Sequence, residues 1–477
     1  MKNQLYINGT WKNAEDNSTF DVLNPATEEV IVKLPNAGSL ETDLAIKAAS
    51  QSFKVWKNTN AFDRAKLLKS VALKIREKAK EYAEITTKES GKPLLEATGE
   101  WMIAADLFEW FAEEAKRTYG TVIPASRNNK RMQVIYQPVG VVGIITAWNF
   151  PIWNLARPWG AALAAGCSIV AKPSEETPLT AILLAQIFEE SALPKGVINL
   201  VFGNASEIGD SLMHAPEVKK MHFVGSTRVG KLLMDKASIT NTKLSLELGG
   251  NAPVLVFPDV NIKEVAASSV TAKFRNCGQV CISPQRYIVH KDAYHAFIEE
   301  AAKHVANYAI GNGLNANSQI GPVINKKQQE QLNNFVSTAV ASGAEVIVGG
   351  ENHQENGKGY FFKPTLIGNV NQESSVFKNE IFGPIMAVTT FETMDEAISL
   401  ANKTQYGLAA YIWTNNLNTA IIASEAIDFG IIGINEWTPH ATEAPFGGMK
   451  ESGQGSELGN DGIYEYLDKK LISIGSL

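Results

Sequence analysis

A chain of 477 residues, of which 45% are hydrophobic and 20% charged, is long enough to bury large cores and to divide into two or three domains. Its formal net charge of −6 argues against a nucleic-acid-binding surface, because neutralising phosphates requires Lys and Arg in clustered excess. The opening MKNQLYINGTWKNAED lacks the apolar centre of a secretory signal, and the longest apolar tract, at roughly 139–171, contains polar residues and prolines that a membrane span tolerates poorly. We therefore expect a globular protein without a membrane segment.

The chain has three cysteines, at positions 167, 277 and 281, and seven scattered histidines. Three thiols in so long a chain cannot form a disulfide framework, which predicts a reducing compartment and hence the cytoplasm. No Cys-x-x-Cys pair and no H-x-x-x-H or H-x-x-E-H spacing occurs, so no metal site is expected.

From Gly140 onward, short β-rich runs alternate with helical stretches. VGVVGIIT predicts a buried strand, PIWNLARPWGAALAAG a helix and SIVAK a second strand. The next helix should begin near Thr177 and Pro178, where Thr can cap and Pro fits the first turn. VINLVF, KKMHFV and KLSLEL follow as strands with helical segments between them. This order predicts a parallel, doubly wound sheet of the kind that binds nucleotides at the carboxyl ends of its strands.

Beyond about Leu248 a second alternation predicts another α/β unit. Helical patterns such as NIKEVAASSVTAKF and KKQQEQLNNFVSTAVASG alternate with strand-like runs such as AEVIVGG, IMAVTTF and LAAYIWT. RMQVIYQ and KLISIG fit neither unit and alternate polar with apolar residues. They predict either an antiparallel arm that pairs between subunits or edge strands on the parent domain.

Two stretches are candidates for contact with a nucleotide. In MHFVGSTRVGKLL a strand should end at Gly225, Ser226 and Thr227 can cap, and a helix should start near Val229, which suits an anion. The loop is neither G-x-G-x-x-G nor a Walker A motif, so a plain strand-to-helix turn is an equal alternative.

After SIVAK, Lys172 and Glu175 flank Pro173 and Ser174. An ammonium and a carboxylate on one turn can bond the two hydroxyls of a ribose, and the carboxylate would repel a 2′-phosphate, which favours NAD over NADP. A surface ion pair is the alternative.

The stretch FRNCGQVC, residues 274–281, holds two of the thiols. A nucleophilic thiol must lose its proton, must be reachable and needs donors aimed at the oxyanion that its attack creates. Cys281 precedes a turn-like I-S-P and suits this role, whereas Cys277 should sit in the last turn of a helix as a buried thiol and Cys167 should be core. Asn149 and Glu247, at the ends of the first and last strands of the sheet, are the candidate oxyanion donor and base, although both residue types also occur structurally at such ends.

Seven motifs, AWNFP, KPSEETP, FVGSTRVG, LELGGNAP, FRNCGQVC, NEIFGP and APFGGMKESG, occur in the order and approximate spacing of the aldehyde dehydrogenase superfamily, which this chain resembles over essentially its whole length, including YINGTW. The resemblance implies three parts. A Rossmann-type NAD-binding domain would cover residues 1–119 and 139–247, and an α/β catalytic domain residues 248–455. A β oligomerisation arm at 120–138 and 456–477 would build homodimers or homotetramers.

The resemblance also implies a mechanism. Cys281 falls on the family's nucleophile and Cys277 on a variable position. The Cys281 thiolate would add to the aldehyde, the Asn149 amide and the Cys281 backbone N–H would hold the oxyanion, and Glu247 would activate the water that releases the acid. The residues that match the family's cofactor contacts, with NADP a weaker possibility than NAD, are Trp148, Lys172, Glu175, Gly225, Ser226, Glu380 and Phe382.

Within the superfamily, FAEEAKRTYGTVIP and NLARPWGAALAAG resemble the succinate-semialdehyde dehydrogenase branch. That resemblance implies that Arg157 and Arg275 hold a distal substrate carboxylate and that Phe446 contacts the substrate, while an ion pair in the core is the alternative for each Arg. L-A-R-P replaces the branch's I-T-R-K, and no serine donor is evident in PHATEAPFGG, so lactaldehyde, glycolaldehyde and 2-oxoglutarate semialdehyde stay open as substrates. Glu247 argues against a CoA-acylating relative, and Cys281, Glu247 and Asn149 together argue against a catalytically silent protein.

Overall fold

The computed structural model describes residues 2–475. Residue 1 and the last two residues of the expected arm, 476 and 477, lie outside this range. None of the helices in residues 2–475 has the length and apolarity that crossing a membrane requires.

The first part of the chain contains most of the helices. Its elements are β1 Leu5–Ile7, β2 Thr10–Lys12, β3 Thr19–Leu23, β4 Val30–Pro35, α1 Ser39–Trp56, α2 Ala61–Ser90, α3 Leu94–Glu114, β5 Thr121–Ile123, β6 Lys130–Pro138, β7 Val141–Ile145, α4 Pro151–Ala165, β8 Ser168–Lys172, α5 Pro178–Glu190, β9 Ile198–Leu200, α6 Ala205–His214, β10 Val218–Val224, α7 Thr227–Thr240 and β11 Lys243–Glu247.

The second part carries the remaining elements. They are β12 Ala252–Val256, α8 Ile262–Phe274, β13 Pro284–His290, α9 Lys291–Ala306, α10 Lys326–Ala341, β14 Glu345–Val348, β15 Asn352–Glu355, β16 Lys358–Phe362, β17 Thr365–Gly368, α11 Ser375–Lys378, β18 Ile385–Phe391, α12 Met394–Asn402, β19 Tyr406–Gly407, β20 Ala409–Trp413, α13 Leu417–Ala426, β21 Ile431–Ile434, β22 Met449–Lys450, β23 Gly453–Gln454, α14 Asp461–Tyr464 and β24 Leu467–Gly475.

The first sheet confirms the predicted doubly wound architecture. Its strand order is β2-β1-β9-β8-β7-β10-β11-β23, and the strands from β9 to β11 run parallel. The short antiparallel strands β1 and β23 extend this parallel core on its two sides, which the sequence pattern had not predicted. Because the chain moves from β7 through β8 to β9 and then crosses to β10, the strand order reverses beside β7. Ligands bind at such a reversal in open α/β sheets, beyond the carboxyl ends of the strands.

The start of α5 is capped differently from the prediction. Pro178 does occupy the first turn, but the Thr177 hydroxyl donates to the Trp148 carbonyl (3.3 Å) and makes no cap hydrogen bond. The buried Glu89 carboxylate accepts instead from the N–H groups of Leu179 (2.7 Å) and Thr180 (2.9 Å). A helix N-terminus needs acceptors for its free N–H groups, and here a distant side chain in α2 supplies them.

The second sheet confirms the second α/β unit. Its order is β14-β17-β18-β13-β12-β20-β21, with β14 antiparallel and the other pairs parallel. Only residues 248–251 separate the end of β11 in the first sheet from the start of β12 in the second. This short connection brings the carboxyl end of the first sheet against the second unit.

The two runs that fit neither unit pair with each other. Lys130–Pro138 lies antiparallel to Leu467–Gly475, and β5 completes a separate three-stranded sheet. The alternative that they are edge strands of a parent domain is therefore wrong. The sheet exposes Val122 (75%) and Leu471 (61%), apolar side chains that an ordinary solvent-facing strand replaces with polar ones.

Candidate active site

Two cavities meet at Cys281, where the carboxyl end of the first sheet faces the second unit. The first, of about 290 Å³, is lined by Cys281 and by the predicted residues Trp148, Asn149, Gly225, Ser226, Glu247, Glu380 and Phe382. The second, of about 240 Å³, is lined by Cys281 together with Arg275, Phe446, Glu96, Glu100 and His440. A thiol that borders both can meet a cofactor from one side and a substrate from the other.

The loop that carries Cys281 is irregular. Helix α8 ends at Phe274, and Asn276 (φ 48°), Cys277 (φ 56°) and Gly278 (φ 70°) follow with left-handed backbone. Cys277 is buried, as predicted, but it does not lie in the last turn of the helix. At Gly278 a Cβ would stand 2.2 Å from the carbonyl oxygen of Gly383, so this turn requires glycine. The turn leaves Cys281 partly exposed.

Four hydrogen bonds hold Asn149. Its backbone carbonyl accepts from the Lys92 ammonium and from the Asn276 side-chain amide, both at 2.8 Å. Its side-chain Oδ1 accepts from Asn154 Nδ2 (3.1 Å), and its Nδ2 donates to the Gln279 carbonyl (3.1 Å). An amide nitrogen carries two hydrogens, so one N–H of Asn149 remains for the cavity that this residue lines.

Helix α4 begins two residues after Asn149, and a side chain from another helix caps its N-terminus. Phe150 occupies the N-cap position and has no side-chain acceptor, so the Glu100 carboxylate in α3 accepts from the N–H groups of Ile152 (2.9 Å) and Trp153 (3.1 Å). Its other oxygen pairs with the fully buried Lys92 ammonium. The α2–α3 region therefore fixes both the Asn149 carbonyl and the helix that begins beside it.

Glu247 ends β11 as a buried carboxylate. Among residues 2–475 neither of its oxygens has a hydrogen-bond partner. Burial raises the pKa of Glu247 to about 7, and the nearby Arg157 guanidinium opposes that rise. A carboxyl group with this pKa exchanges protons near neutral pH, which a general base requires. Burial, followed by the Glu247 charge, raises the pKa of the Cys281 thiol.

The first cavity opens at the N-terminus of α7. Ser226 is the N-cap residue, and its hydroxyl accepts from the Val229 N–H (3.4 Å). The cap prediction is thereby confirmed, although the helix begins at Thr227 and not near Val229. Glu380 accepts from the Gly250 N–H (2.9 Å), and burial raises its pKa to about 7.

Of the other cofactor candidates, two aromatic residues line this cavity and one ion pair lies outside it. The rings of Trp148 and Phe382 pack edge-to-face, with centroids 5.3 Å apart. The Lys172 ammonium lies 2.5 Å from the Glu175 carboxylate and donates to the Pro173 carbonyl (3.2 Å) at the end of β8. This pair does not line the 290 Å³ cavity itself.

The second cavity contains a guanidinium with no strong partner. Arg275 is half-buried, and it makes no ion pair or side-chain hydrogen bond with any residue in the described range. Its guanidinium lies 5.1 Å from the centre of the Phe150 ring. Phe446 is buried, and its ring meets that of Trp153 at 5.4 Å. Arg275 is therefore available to an anion inside the cavity.

Arg157 lines neither of these cavities, which corrects the expectation that it lies in the substrate tunnel. It is 1% exposed, its Nη1 pairs with the Glu457 carboxylate, and its Nη2 donates to Asn154 Oδ1 (2.9 Å). Its guanidinium also stacks on Trp153 at 3.7 Å from the ring centre. The alternative of an ion pair in the core describes this residue.

Several residues at the site had no signal strong enough to single them out. His440 lies in PHATEAPFGG, the stretch in which a serine donor was sought, and borders the second cavity. Asn154 lies five residues after Asn149 in NFPIWN, and an Asn within a predicted helix does not by itself indicate a functional role. Lys92 and Glu100 were not recognised, because nothing local indicates that they are buried together. Within residues 2–475 no group of three or more His, Cys, Asp or Glu side chains is arranged to hold a metal ion.

Comparison with known proteins agrees with this arrangement. The model of the aldehyde dehydrogenase family matches residues 11–472. The chain is 42% identical over 477 residues to the mitochondrial succinate-semialdehyde dehydrogenase of Oryza sativa, covering 100% of this chain and 90% of the relative. It is 40% identical to the NADP(+) succinate-semialdehyde dehydrogenase of Escherichia coli, covering 100% and 98%.

A solved structure is similar over nearly all of both chains. The betaine aldehyde dehydrogenase of Staphylococcus aureus, solved in complex with NAD+, superimposes with a TM-score of 0.97 at 34% identity, covering 99% of this chain and 95% of that one. The chain belongs to the aldehyde dehydrogenase family. It is an enzyme that oxidises an aldehyde to a carboxylic acid.

Proposed function

We propose that this enzyme oxidises a short aldehyde that carries a second, acidic group, such as succinate semialdehyde, with NAD as the hydride acceptor. The observation that supports this most is the unpaired Arg275 guanidinium in the cavity that ends at Cys281. A substrate carboxylate that enters a partly buried cavity loses hydrating water, which costs free energy. A charge-assisted hydrogen bond from a guanidinium offsets that cost.

In this proposal the partly exposed Cys281 gives its proton to solvent water, and its sulfur adds to the carbonyl carbon. The C–S bond forms while the C=O π pair moves onto oxygen, where the free Asn149 N–H and the Cys281 backbone N–H stabilise it. NAD held along the first cavity would supply the acceptor for the hydride that this carbon loses as the C=O bond re-forms, which gives a thioester. Glu247 then takes a proton from water as the water oxygen attacks the thioester carbon. The C–S bond breaks, the acid leaves and the Cys281 thiolate is restored.

The residues around the first cavity suit a dinucleotide. The cavity opens at the capped N-terminus of α7, where N–H groups and the helix dipole favour a phosphate. We also assign the Lys172–Glu175 pair, which follows β8 of the same sheet, to the two hydroxyls of a ribose, for which its mutual contact would be exchanged. The Glu175 charge would repel a 2′-phosphate, which supports NAD over NADP.

His440 is the second group that we assign to the distal end of the substrate. Its Nδ1 is buried and has no hydrogen-bond partner in the described range. Burial, with help from Arg275 and Arg157, lowers the pKa of His440 to about 4, so the ring is neutral at pH 7. A neutral imidazole can donate one hydrogen bond to a carboxylate that Arg275 already holds. It can equally bond a hydroxyl, which keeps lactaldehyde as the second candidate substrate.

We also propose that the separate sheet of β5, β6 and β24 joins subunits into a homodimer or homotetramer. Its exposed apolar side chains and its free β5 edge support this. The domain limits at 119, 139, 247 and 455 and a cytoplasmic location stay predictions, the latter supported by three free thiols.

A steady-state screen tests the substrate and cofactor together. We would measure kcat/KM for succinate semialdehyde, butanal and lactaldehyde, each with NAD and with NADP, because this ratio reports differential transition-state binding. The proposal requires succinate semialdehyde with NAD to give the highest value. A higher value for lactaldehyde would select the second candidate, and a higher value with NADP would overturn the reading of Glu175.

A further inference from the structure

A buried chain of side chains leads from Glu457 to the oxyanion donor. Glu457 pairs with Arg157 Nη1, and Arg157 Nη2 donates to Asn154 Oδ1 (2.9 Å). Asn154 Nδ2 then donates to Asn149 Oδ1 (3.1 Å) and to the Ala147 carbonyl (3.3 Å). Asn154 and Arg157 lie three residues apart in α4 and so share one face of the helix, beside the end of β7.

The direction of these hydrogen bonds is set by groups that cannot reverse. A guanidinium only donates, and a backbone carbonyl only accepts. Arg157 must therefore face the oxygen of Asn154, and Ala147 must face its nitrogen. The nitrogen of Asn154 in turn requires the oxygen of Asn149, which leaves the Asn149 nitrogen pointed at the Gln279 carbonyl (3.1 Å) and the cavity.

A flipped Asn149 amide would place its carbonyl oxygen where the oxyanion forms. Two negatively polarised oxygens would then meet, and the site would oppose the reaction it has to stabilise. An isolated amide gains nothing from either orientation, because its two ends are nearly the same size.

We infer that Arg157 is a positioning residue, which fixes the Asn149 amide in its donating orientation through Asn154 and does not bind the substrate. The inference rests on the proposed role of Asn149 as oxyanion donor. It accounts for a buried arginine whose Nη1 and Nη2 contact Glu457 and Asn154 and which lines neither of the two cavities that meet at Cys281.

The decisive variant is Asn154→Asp. The new side chain has the same shape but only accepts, and beside Arg157 it stays ionised. It bonds Arg157 as before but faces the Asn149 and Ala147 oxygens with an oxygen. The donating orientation of Asn149 then keeps only the Gln279 carbonyl as support and has an oxygen–oxygen contact against it. Arg157→Met removes the donor at the start of the chain, and Arg157→Lys restores a group that only donates.

A reaction without cofactor isolates the oxyanion step. We would measure acylation of Cys281 by p-nitrophenyl acetate, in which a C–S bond forms through a tetrahedral oxyanion and p-nitrophenolate leaves. Alkylation by iodoacetamide is the companion assay, because displacement of iodide builds no such oxyanion. Removing an oxyanion donor typically costs about 10²- to 10³-fold in rate, so we expect Asn149→Ala to lose that much and Asn154→Asp at least tenfold. We expect the rate of alkylation to change less than about threefold in each variant. A change that small is well below the loss expected for a step that builds an oxyanion.

The double variant Asn149→Ala/Asn154→Asp separates positioning from general damage. If Asn154 acts through Asn149, the double variant is no slower than Asn149→Ala alone. If the rate losses of the two single variants multiply in the double variant, the inference is overturned. It is also overturned if the Asn154→Asp enzyme is acylated at the wild-type rate. Asn199→Asp is the matched control, because Asn199 is a buried amide that also donates to two carbonyls, from β9, away from both cavities. It should lower the thermal midpoint without slowing acylation of the folded enzyme.

The aldehyde reaction distinguishes this role from substrate binding. Arg157→Met should slow the first-turnover formation of NADH from succinate semialdehyde and from butanal by a similar factor, about tenfold, and Arg157→Lys should recover most of it. A loss confined to succinate semialdehyde and expressed in KM would assign Arg157 to the substrate carboxylate and refute the inference. Should wild-type enzyme oxidise neither aldehyde, the proposed function fails, while the acylation comparison still tests the direction of the Asn149 amide.

Discussion

The Lys92 ammonium donates a 2.8 Å hydrogen bond to the backbone carbonyl of Asn149, across a separation of 57 residues. The same ammonium pairs with Glu100, and it lies 4.2 Å from the centre of the Phe150 ring. Gly91 ends α2 with φ 79°, and this left-handed turn directs Lys92 inward before α3 begins. A buried charge that reaches the active site in this way couples the packing of α2 and α3 to the chemistry.

Glu100→Gln tests that coupling. The substitution removes the carboxylate that pairs directly with the buried Lys92 ammonium. Breaking a buried ion pair by removing one partner typically costs about 3 to 5 kcal/mol. We expect a fall of that size in the free energy of unfolding, measured by urea titration, and slower formation of NADH in the first turnover. The double variant Lys92→Met/Glu100→Gln removes both charges and should recover much of the stability. A Glu100→Gln enzyme as stable and as fast as wild type would contradict this account.

Replacement of each thiol separates the two cysteines of FRNCGQVC. Cys281→Ala should abolish aldehyde oxidation, since of these two thiols only that of Cys281 lines the cavities. Cys277→Ala should keep most of the activity while lowering the thermal midpoint, because its side chain is only 2% exposed and truncation leaves a void. Steady-state rates together with thermal melts measure both effects. Equal loss of activity in the two variants would remove Cys281 from its assigned role.

The pKa of Glu247, raised to about 7 by burial, predicts a pH dependence. Below that pH the carboxyl group already holds a proton and cannot take one from water, so turnover should rise as pH increases through about 7. Glu247→Gln should remove this rise and slow turnover, yet still release one equivalent of NADH, because hydride transfer precedes the step that needs the base. Stopped-flow absorbance at several pH values measures both features. If the first equivalent also disappears, Glu247 acts earlier, by deprotonating Cys281.

Arg275→Gln should change substrate preference and leave the chemical steps intact. A hydrogen bond to a charged group is typically worth about 1.5 to 3 kcal/mol, so we expect a loss of roughly ten- to a hundredfold in kcat/KM for succinate semialdehyde. Butanal should be oxidised almost as before. Arg127→Gln, at an exposed position in the loop between β5 and β6, is the control and should alter neither value. An equal loss with both aldehydes would make Arg275 a structural residue.

Glu175→Ala should narrow the preference for NAD over NADP. The carboxylate lies 2.5 Å from Lys172, and its removal would end repulsion of a 2′-phosphate and free the ammonium for it. The measurement is the ratio of kcat/KM with the two cofactors for wild type and variant. An unchanged ratio would mean that Glu175 does not contact this part of the nucleotide.

Local patterns were sufficient for most of the secondary structure, whereas the residues assigned to the reaction were selected through the resemblance to the aldehyde dehydrogenase superfamily. VGVVGIIT, SIVAK and KLSLEL are strands, and the helices around PIWNLARPWGAALAAG and KKQQEQLNNFVSTAVASG formed as predicted. Asn149 and Glu247 line one cavity, because the carboxyl ends of parallel strands lie at the same edge of a sheet, and Cys281 borders that cavity from the loop before β13. Hydrophobic periodicity and the order of elements along the chain can be read from short segments. The sequence by itself therefore determined the secondary structure and the α/β class of the two units.

The partners of the buried charges were decided only by the tertiary structure. Arg157 pairs with Glu457 across 300 residues, and Lys92 meets Asn149 across 57. No local pattern specifies which carboxylate a buried guanidinium pairs with. Any opposite charge that the fold brings near the guanidinium can offset the free energy of its desolvation. The left-handed turn at Cys277 likewise follows from the close approach of the Gly383 carbonyl to Gly278, a contact between segments far apart in the chain.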